Sequence, residues 1–452
     1  MMKRFNGWQP SIFLGNIGRL VEAGGFNELF FDRLHDEHGP IACFFLGPAG
    51  LNVSVVDPII QAQVYRKCIS RPKETELFLS YLGKDNLLFT HGPMVKKMRI
   101  RYGSMISNVK QLHKLHQVTF NTFEPAIEKW GDKHSVDVFQ EIGPLLYDVM
   151  GSVLFDTKWS ETKDGPTIYR LHKFLIQDSN RWIFYPIKPI WNSDYRKFLS
   201  TIEELRQVCS KVLDARERDI KMGLFDDDNS ALSLLLTSLD DDGKPFFTRH
   251  RAVSSLIGFL NGAYDTTHAT VFWLLYNLAR NPGSQKKLIE ELDAFRAPTV
   301  DDLRSCEYLE AVLKESMRIR CTVPVNQRVN LEEDVDIAGV QVPRGTNINI
   351  PMFRTFMDPK YFGEETDKFK PERFMGDSPE AVTARKSHTA FGAYSRMCVG
   401  FTFALVEVKC LLHTILAKYT IRLKNPSEPG TFMIEAGVNQ PDVKFRLVFS
   451  KR

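Results

Sequence analysis

Apolar positions along this chain recur mostly at helical spacing. Phe26, Leu29, Phe30 and Leu34 share one face of a 3.6-residue period, and Gly39-Pro40 stops that helix. Two β-rich runs follow, Ile41 to Leu46 and Leu51 to Val56. Gly47-Pro48-Ala49-Gly50 parts them, which predicts a hairpin. Asp57-Pro58 then opens a helix with an acceptor cap and a proline at its first position. Helical spacing resumes at Val95 and returns over His113–Ala126, Val136–Leu154, Ile168–Ile176 and Phe198–Lys221. Thr248 to Arg280 is the longest such pattern and stops at Asn281-Pro282-Gly283. Shorter helices are predicted over Gln285–Phe295 and Glu307–Arg320. From Val325 to Ile350 the period becomes that of short strands, with turns at Gly339 and Pro343-Arg344-Gly345. Met357 to Ala390 is loop-rich, Phe401 to Leu416 reads as a helix, and Thr431 to Phe449 as short strands. The sum is mainly α with a small β portion. No repeat and no Pro/Gly/Ser linker divides the chain. Its 452 residues are read as one domain, 1–452, with an irregular lead-in over 1–24.

Composition narrows the classes. A net charge of +4 without a dense Lys/Arg run argues against nucleic acid as a partner. The seven cysteines, at 43, 68, 209, 306, 321, 398 and 410, are scattered and never form C-x-x-C. That excludes a disulfide framework or a zinc ribbon and suggests a reducing compartment. Met1 to Gln9 is polar and basic, and no apolar run of about 18 residues opens the sequence. The expectation is a soluble protein, one whose anchor is removed, or one that meets a membrane by surface patches. Arg181 to Trp191 is aromatic, proline-kinked and short of acids. It suits either a packed loop or a patch dipping into a lipid interface. Asp226-Asp227-Asp228 and Asp240-Asp241-Asp242-Gly243 read as solvated loops.

Chemistry concentrates in Phe391-Gly392-Ala393-Tyr394-Ser395-Arg396-Met397-Cys398-Val399-Gly400. The turn places Cys398 at or just before a helix N-terminus, which favours a thiolate. Such a thiolate is a nucleophile, a zinc ligand or an axial haem ligand. Glu315 and Arg318 lie three residues apart on one helix face, among apolar neighbours. A pair of this kind is too common to carry meaning alone, and if buried it needs a further partner. Arg373, in Phe369-Lys370-Pro371-Glu372-Arg373-Phe374, can supply that partner.

With Glu-x-x-Arg, F-x-P-x-R-F and F-x-x-x-x-R-x-C-x-G in this order, the chain resembles the haem-thiolate monooxygenases, the cytochrome P-450 superfamily. The likeness runs from about Pro10 to Phe449. It implies a triangular-prism haem-thiolate fold holding haem b (iron protoporphyrin IX), with Cys398 as the axial metal ligand and Gly400 leaving room beside the porphyrin. Tyr394 stands where the family usually has glycine. Gly262-Ala263-Tyr264-Asp265-Thr266-Thr267 looks like the family's oxygen-activation sequence. By that resemblance Ala263 lets the helix pass close to haem, Thr266 holds dioxygen and water, and Asp265 relays protons. Arg328 and Arg396 resemble partners of the haem propionates. So does Arg99, although Val95 replaces the usual tryptophan. Glu315, Arg318 and Arg373 resemble the structural triad that locks the loop before Cys398.

The resemblance also implies a function and partners. One atom of O2 enters a lipophilic small molecule, with electrons from an NADPH-dependent reductase. Lys96, Lys97, Arg101, Arg385 and Lys386 would offer that donor a basic face. Substrate walls fall at Arg71–Asn86, Arg181–Trp191, Phe259–Thr267, Cys321–Gln327 and Glu435–Gln440, with apolar Phe78, Leu79, Leu82, Ile257 and Phe259. Competing expectations are a hydroperoxide isomerase or dehydratase of the same fold, and a non-catalytic haem-binding sensor. Asp265 and Thr266 weigh against both. The lead-in resembles microsomal members, which implies the cytosolic side of the endoplasmic reticulum; a cytoplasmic enzyme is the alternative.

Overall fold

The computed structural model describes residues 6–452, apart from 12–13, 26, 47–49, 74–79, 183–188, 225–229, 428, 436 and 442–444. Its contacts divide into two compact units. One comprises Met1–Lys73, Glu310–Cys398 and Gly437–Asn439; the other comprises Glu74–Leu309, Val399–Ala436 and Gln440–Arg452.

The first unit is built on a four-stranded sheet. Ile41–Phe45 and Leu51–Val55 pair antiparallel, as the two β-rich runs predict; 47–49 of the turn between them lie outside the described residues. Asn347–Pro351 then runs parallel to Leu51–Val55, and Val325–Arg328 pairs antiparallel on its far side. Alternate residues of the first strand serve two cores. Ala42 and Phe44 pack with Trp8, Phe30, Phe31 and Leu34, while Cys43 packs with Val53, Tyr65 and Ile350. Asn347–Pro351 is buried at every position, as suits a strand covered on both faces. The lead-in is less irregular than expected. Ile17–Glu22 is helical, because Leu20 and Ala23 close the core around Trp8. Gly15 and Gly18 mask that turn in the sequence.

The second unit is mainly helical, with Tyr419–Leu423 and Leu447–Lys451 paired as an antiparallel ladder. Val109–Gly131 outruns the expected segment by four residues at its start and five at its end, and Ser193–Lys221 by five at its start, while Val138–Leu154 begins two residues late and Phe401–Leu416 matches. Asn108, Asp137, Asn192 and Thr248 cap helix starts by accepting backbone N–H bonds. The longest pattern is not one regular helix. Arg249–Leu260 and Thr266–Arg280 are joined by a π-helical turn, Asn261–Asp265. Among the described residues no helix is long and apolar enough to cross a membrane.

Candidate active site

Cys398 is the exposed member of the seven cysteines; the other six are buried. Its backbone N–H donates to the Phe391 carbonyl at 2.8 Å, which closes the turn. Gly392, with φ +71°, supplies the left-handed residue, and an added Cβ would meet Asn326 at 3.5 Å and Arg328 at 3.7 Å. Tyr394 also adopts a left-handed conformation, with φ +55°. For a residue with a Cβ that conformation costs about 1–2 kcal/mol. Tyr394 offsets part of this cost by lying under a guanidinium, with Arg66 Cζ 4.7 Å from its ring centroid.

Tyr394→Gly should therefore be tolerated, with net destabilisation under about 1 kcal/mol, since strain relief opposes a lost stack and a freer unfolded chain. Tyr394→Val keeps the strain and loses the stack, so it should be less heat-stable than Tyr394→Gly. Equal thermal stability of the two variants would contradict this account.

Three arginines gather beside the turn. Arg328 is fully buried at the end of its strand, with Cζ 5.0 Å from the Tyr65 ring. Its NH1 donates to Asn326 Oδ1 and to the Gln327 carbonyl. Arg71 NH1 donates to the same two acceptors, at 2.6 and 2.9 Å. Arg396 Nε donates to the Ile69 carbonyl at 2.7 Å. Burial first, then the charges of Arg328 and Arg396, push the Arg71 guanidinium well below its usual range; the Tyr65 phenol acts the other way. Clustered guanidinium groups of this kind call for a multiply charged anion.

Glu315 ties the same unit together. Arg318 donates to it by Nε at 2.7 Å and NH2 at 3.0 Å, a bidentate pair. Arg373 Nε and the Lys370 backbone N–H reach Glu315 Oε1 at 3.0 and 2.8 Å. The F-x-P-x-R-F segment is a 3₁₀ turn, Pro371–Phe374, held by these bonds. The expected triad is thus assembled.

In the second unit, the π turn carries the small residues. Asp265 and Tyr264 are buried, whereas Gly262 is exposed and Ala263 and Thr266 are partly exposed. A Cβ built on Gly262 meets nothing within 4 Å. A helix buried elsewhere therefore has one open, shallow face. Thr266 Oγ1 donates to the Gly262 carbonyl at 2.7 Å. Its proton is spent inside the helix, so it presents an acceptor to the open face. Asp265 Oδ1 accepts from Gln440 Nε2 at 2.7 Å.

The sequence as a whole decides what this arrangement is. The cytochrome P450 family model matches residues 6–449. The chain belongs to the cytochrome P450 family. A Caenorhabditis elegans protein named as CYP13A5 is 26% identical over 403 residues, covering 79% of this chain and 76% of that protein. Human cytochrome P450 4V2 is 36% identical over 205 residues, covering 44% of this chain and 38% of that protein. A solved structure, retinoic acid bound cyanobacterial CYP120A1, superposes with TM-score 0.84 at 19% identity, over 99% of each chain. The fold is accordingly that of a P450, and the chain is a haem-thiolate monooxygenase. Haem with cysteine thiolate ligation follows from the family.

The residues present fit such a P450 group. An exposed thiol on a closed turn suits an iron ligand, and the arginine cluster suits propionate carboxylates. Arg71 belongs to that cluster and was missed in the sequence, where it reads as the start of a substrate wall. Its Arg-Pro context carries no signal; only the fold brings it to Asn326. Gly400 has a negative φ of −89°, so its backbone conformation does not itself require glycine. Arg99 is half-buried in the helix Pro93–Ile106 of the second unit.

Other expected surfaces are altered. Lys97 pairs with Asp241, and Arg101 NH2 donates to the Leu239 carbonyl at 2.9 Å. The acidic loop thus spends part of the basic helix. Arg385 NH1 likewise turns inward, to the Phe374 and Gly376 carbonyls, while Lys96 and Lys386 stay exposed. Trp182 is core: it is 3% exposed and donates to Asp178. Ile190 and Trp191, by contrast, are 64% and 69% exposed. Phe259 packs against Tyr102 and Phe155. Leu82 and Ile257 are buried. Phe78, Leu79 and Asp226–Asp228 lie outside the described residues.

Proposed function

We propose that Cys398 is the axial haem ligand and that the enzyme inserts one atom of O2 into a lipophilic small molecule with electrons from a reductase. The observation that carries the ligand assignment is that Cys398 alone of the seven cysteines is exposed, on the motif's closed turn. Haem bound there supplies the oxygen chemistry. Arg71, Arg328 and Arg396 hold its propionates, and Arg99 is a further candidate. Thr266, with its hydroxyl proton committed to the Gly262 carbonyl, accepts a hydrogen bond from water on the open helix face. Asp265 carries protons toward that water. Gly262 and Ala263 keep the face shallow.

A lipophilic substrate is supported by the apolar walls the family uses, and by the retinoic acid named for the CYP120A1 structure. We place the enzyme at the cytosolic side of the endoplasmic reticulum, touching the bilayer through exposed Ile190 and Trp191. Lys96 and Lys386 remain available to an acidic electron donor.

The test is reconstitution with NADPH, a reductase and a panel of lipophilic compounds. NADPH consumption should track product. Thr266→Ala should leave reduction intact while diverting most electrons to peroxide, a loss of coupling on the order of tenfold. Turnover of a lipid hydroperoxide without any reductase, and none with one, would establish the rearrangase instead.

A further inference from the structure

We infer that Gln440 is a positioning residue for proton transfer at Asp265, a role that rests on reading Asp265 as the proton-carrying acid. Gln440 lies in the strand Val438–Pro441, and by sequence it reads as the end of a substrate wall. Its side chain is buried, 4% exposed, and Asp265 is 3% exposed. Nε2 donates to Asp265 Oδ1 at 2.7 Å, across 175 residues of chain. An amide N–H remains a donor at every working pH, so this bond favours the ionised acid throughout.

The geometry also selects an atom. An oxygen that accepts a strong N–H bond is the less basic of the two. The proton that the acid takes up therefore rides on Oδ2, and is loaded and released from one place. Gln440 Oε1 is buried and accepts no bond among the described residues. With Nε2 fixed on the acid, Oε1 is an acceptor for a proton-bearing water beside it.

The neighbours of Asp265 supply no competing charge. Tyr81, from the turn Ser80–Leu82, donates to Asn261; its phenol is held well above the usual range, by burial first and then by the charge of Asp265. Burial is also the main cause that raises Tyr264 and, from Val138–Leu154, Tyr147. From Gly165–Ser179, His172 is pushed by burial down to about 3, and His268 to about 4. The phenols stay protonated and the imidazoles neutral across physiological pH. Tyr169, half-buried, meets Tyr264 Oη at 3.4 Å.

Gln440→Leu, Gln440→Glu and Asp265→Asn in the haem-loaded enzyme test this. The carboxyl infrared band of Asp265, assigned by its loss in Asp265→Asn, should titrate about one pH unit higher in Gln440→Leu, because the ionised form loses a donor. The pH profile of coupled turnover should move with it, and peroxide formation should rise several-fold. Substrate affinity, read from the spectral titration, should hold. Gln440→Glu places a second carboxyl on the acid, so the pair should titrate in two steps. If Gln440→Leu fails to hold haem, a single-step titration in Gln440→Glu overturns the inference. An unmoved band and unmoved coupling in Gln440→Leu, while Asp265→Asn uncouples, overturn it and leave the acid reading standing. Unchanged coupling in Asp265→Asn overturns both.

Discussion

Replacing Cys398 with histidine should abolish the red-shifted Soret band of the reduced, CO-bound enzyme and reduce monooxygenase turnover to background. The loss should exceed the roughly 10–100-fold that outer-shell changes around a metal produce, since the ligand itself is exchanged. Thiolate donation pushes electron density onto iron and favours O–O cleavage; a neutral imidazole does not. No other cysteine can substitute. Burial pushes the Cys68 and Cys306 thiols up to about 11 and the Cys321 thiol up to about 12, so each remains protonated at neutral pH. Cys43, Cys209 and Cys410 are raised by burial as well. Cys68→Ser and Cys321→Ser should accordingly keep the shifted band. A wild-type band in the unshifted position, or a Cys398→His enzyme that keeps the shift, would remove Cys398 from the metal.

Cys398 was readable as the candidate ligand because its chemistry is local. Ten consecutive residues carry the turn, the thiol and one arginine. The same holds for Glu315 and Arg318, one helical turn apart, and for Gly262 to Thr267. What was not readable is long-range or conformational. Arg71 meets Asn326 across 255 residues, and Gln440 meets Asp265 across 175, with no local pattern to announce either. The π turn at Asn261–Asp265 was invisible because the apolar period runs through it. Thr266 and Gly262 are four apart, so a hydroxyl bonding that carbonyl looks from sequence like any helical threonine. The surface expectations suffered from pairing. Lys97 read as part of a basic face and Asp241 as part of a solvated loop, and together they cancel. Tyr394 is the instructive intermediate case. Its departure from glycine was plain in the sequence, but the left-handed φ and the Arg66 stack that accommodate it required the fold.

Glu315→Gln should be the most destabilising single change in the first unit. Glu315 and Arg318 side chains are both 0% exposed, and Arg373 is 6% exposed. Two guanidinium groups share one carboxylate there, with the Lys370 N–H as a fourth donor to it. The amide keeps one acceptor oxygen but removes the charge, leaving two buried cations without their anion. Breaking one partner out of a buried pair costs about 3–5 kcal/mol. That is a large fraction of the roughly 5–15 kcal/mol by which a domain is folded. Arg318→Lys should not rescue the site, since an ammonium cannot make the bidentate contact and also reach the Phe356 and Lys368 carbonyls as Arg318 does. Arg373→Lys should cost less, because Arg373 uses one nitrogen on Glu315 and the others on the Phe362, Glu365 and Lys368 carbonyls of its own loop. The half-life of thermal haem loss measures the ordering, which suits a chain of two compact units better than one equilibrium midpoint. Glu315→Gln and Arg318→Lys should shorten it most, and Arg373→Lys should fall between them and the parent. Wild-type haem retention in Glu315→Gln would show that the carboxylate does not hold the loop before Cys398.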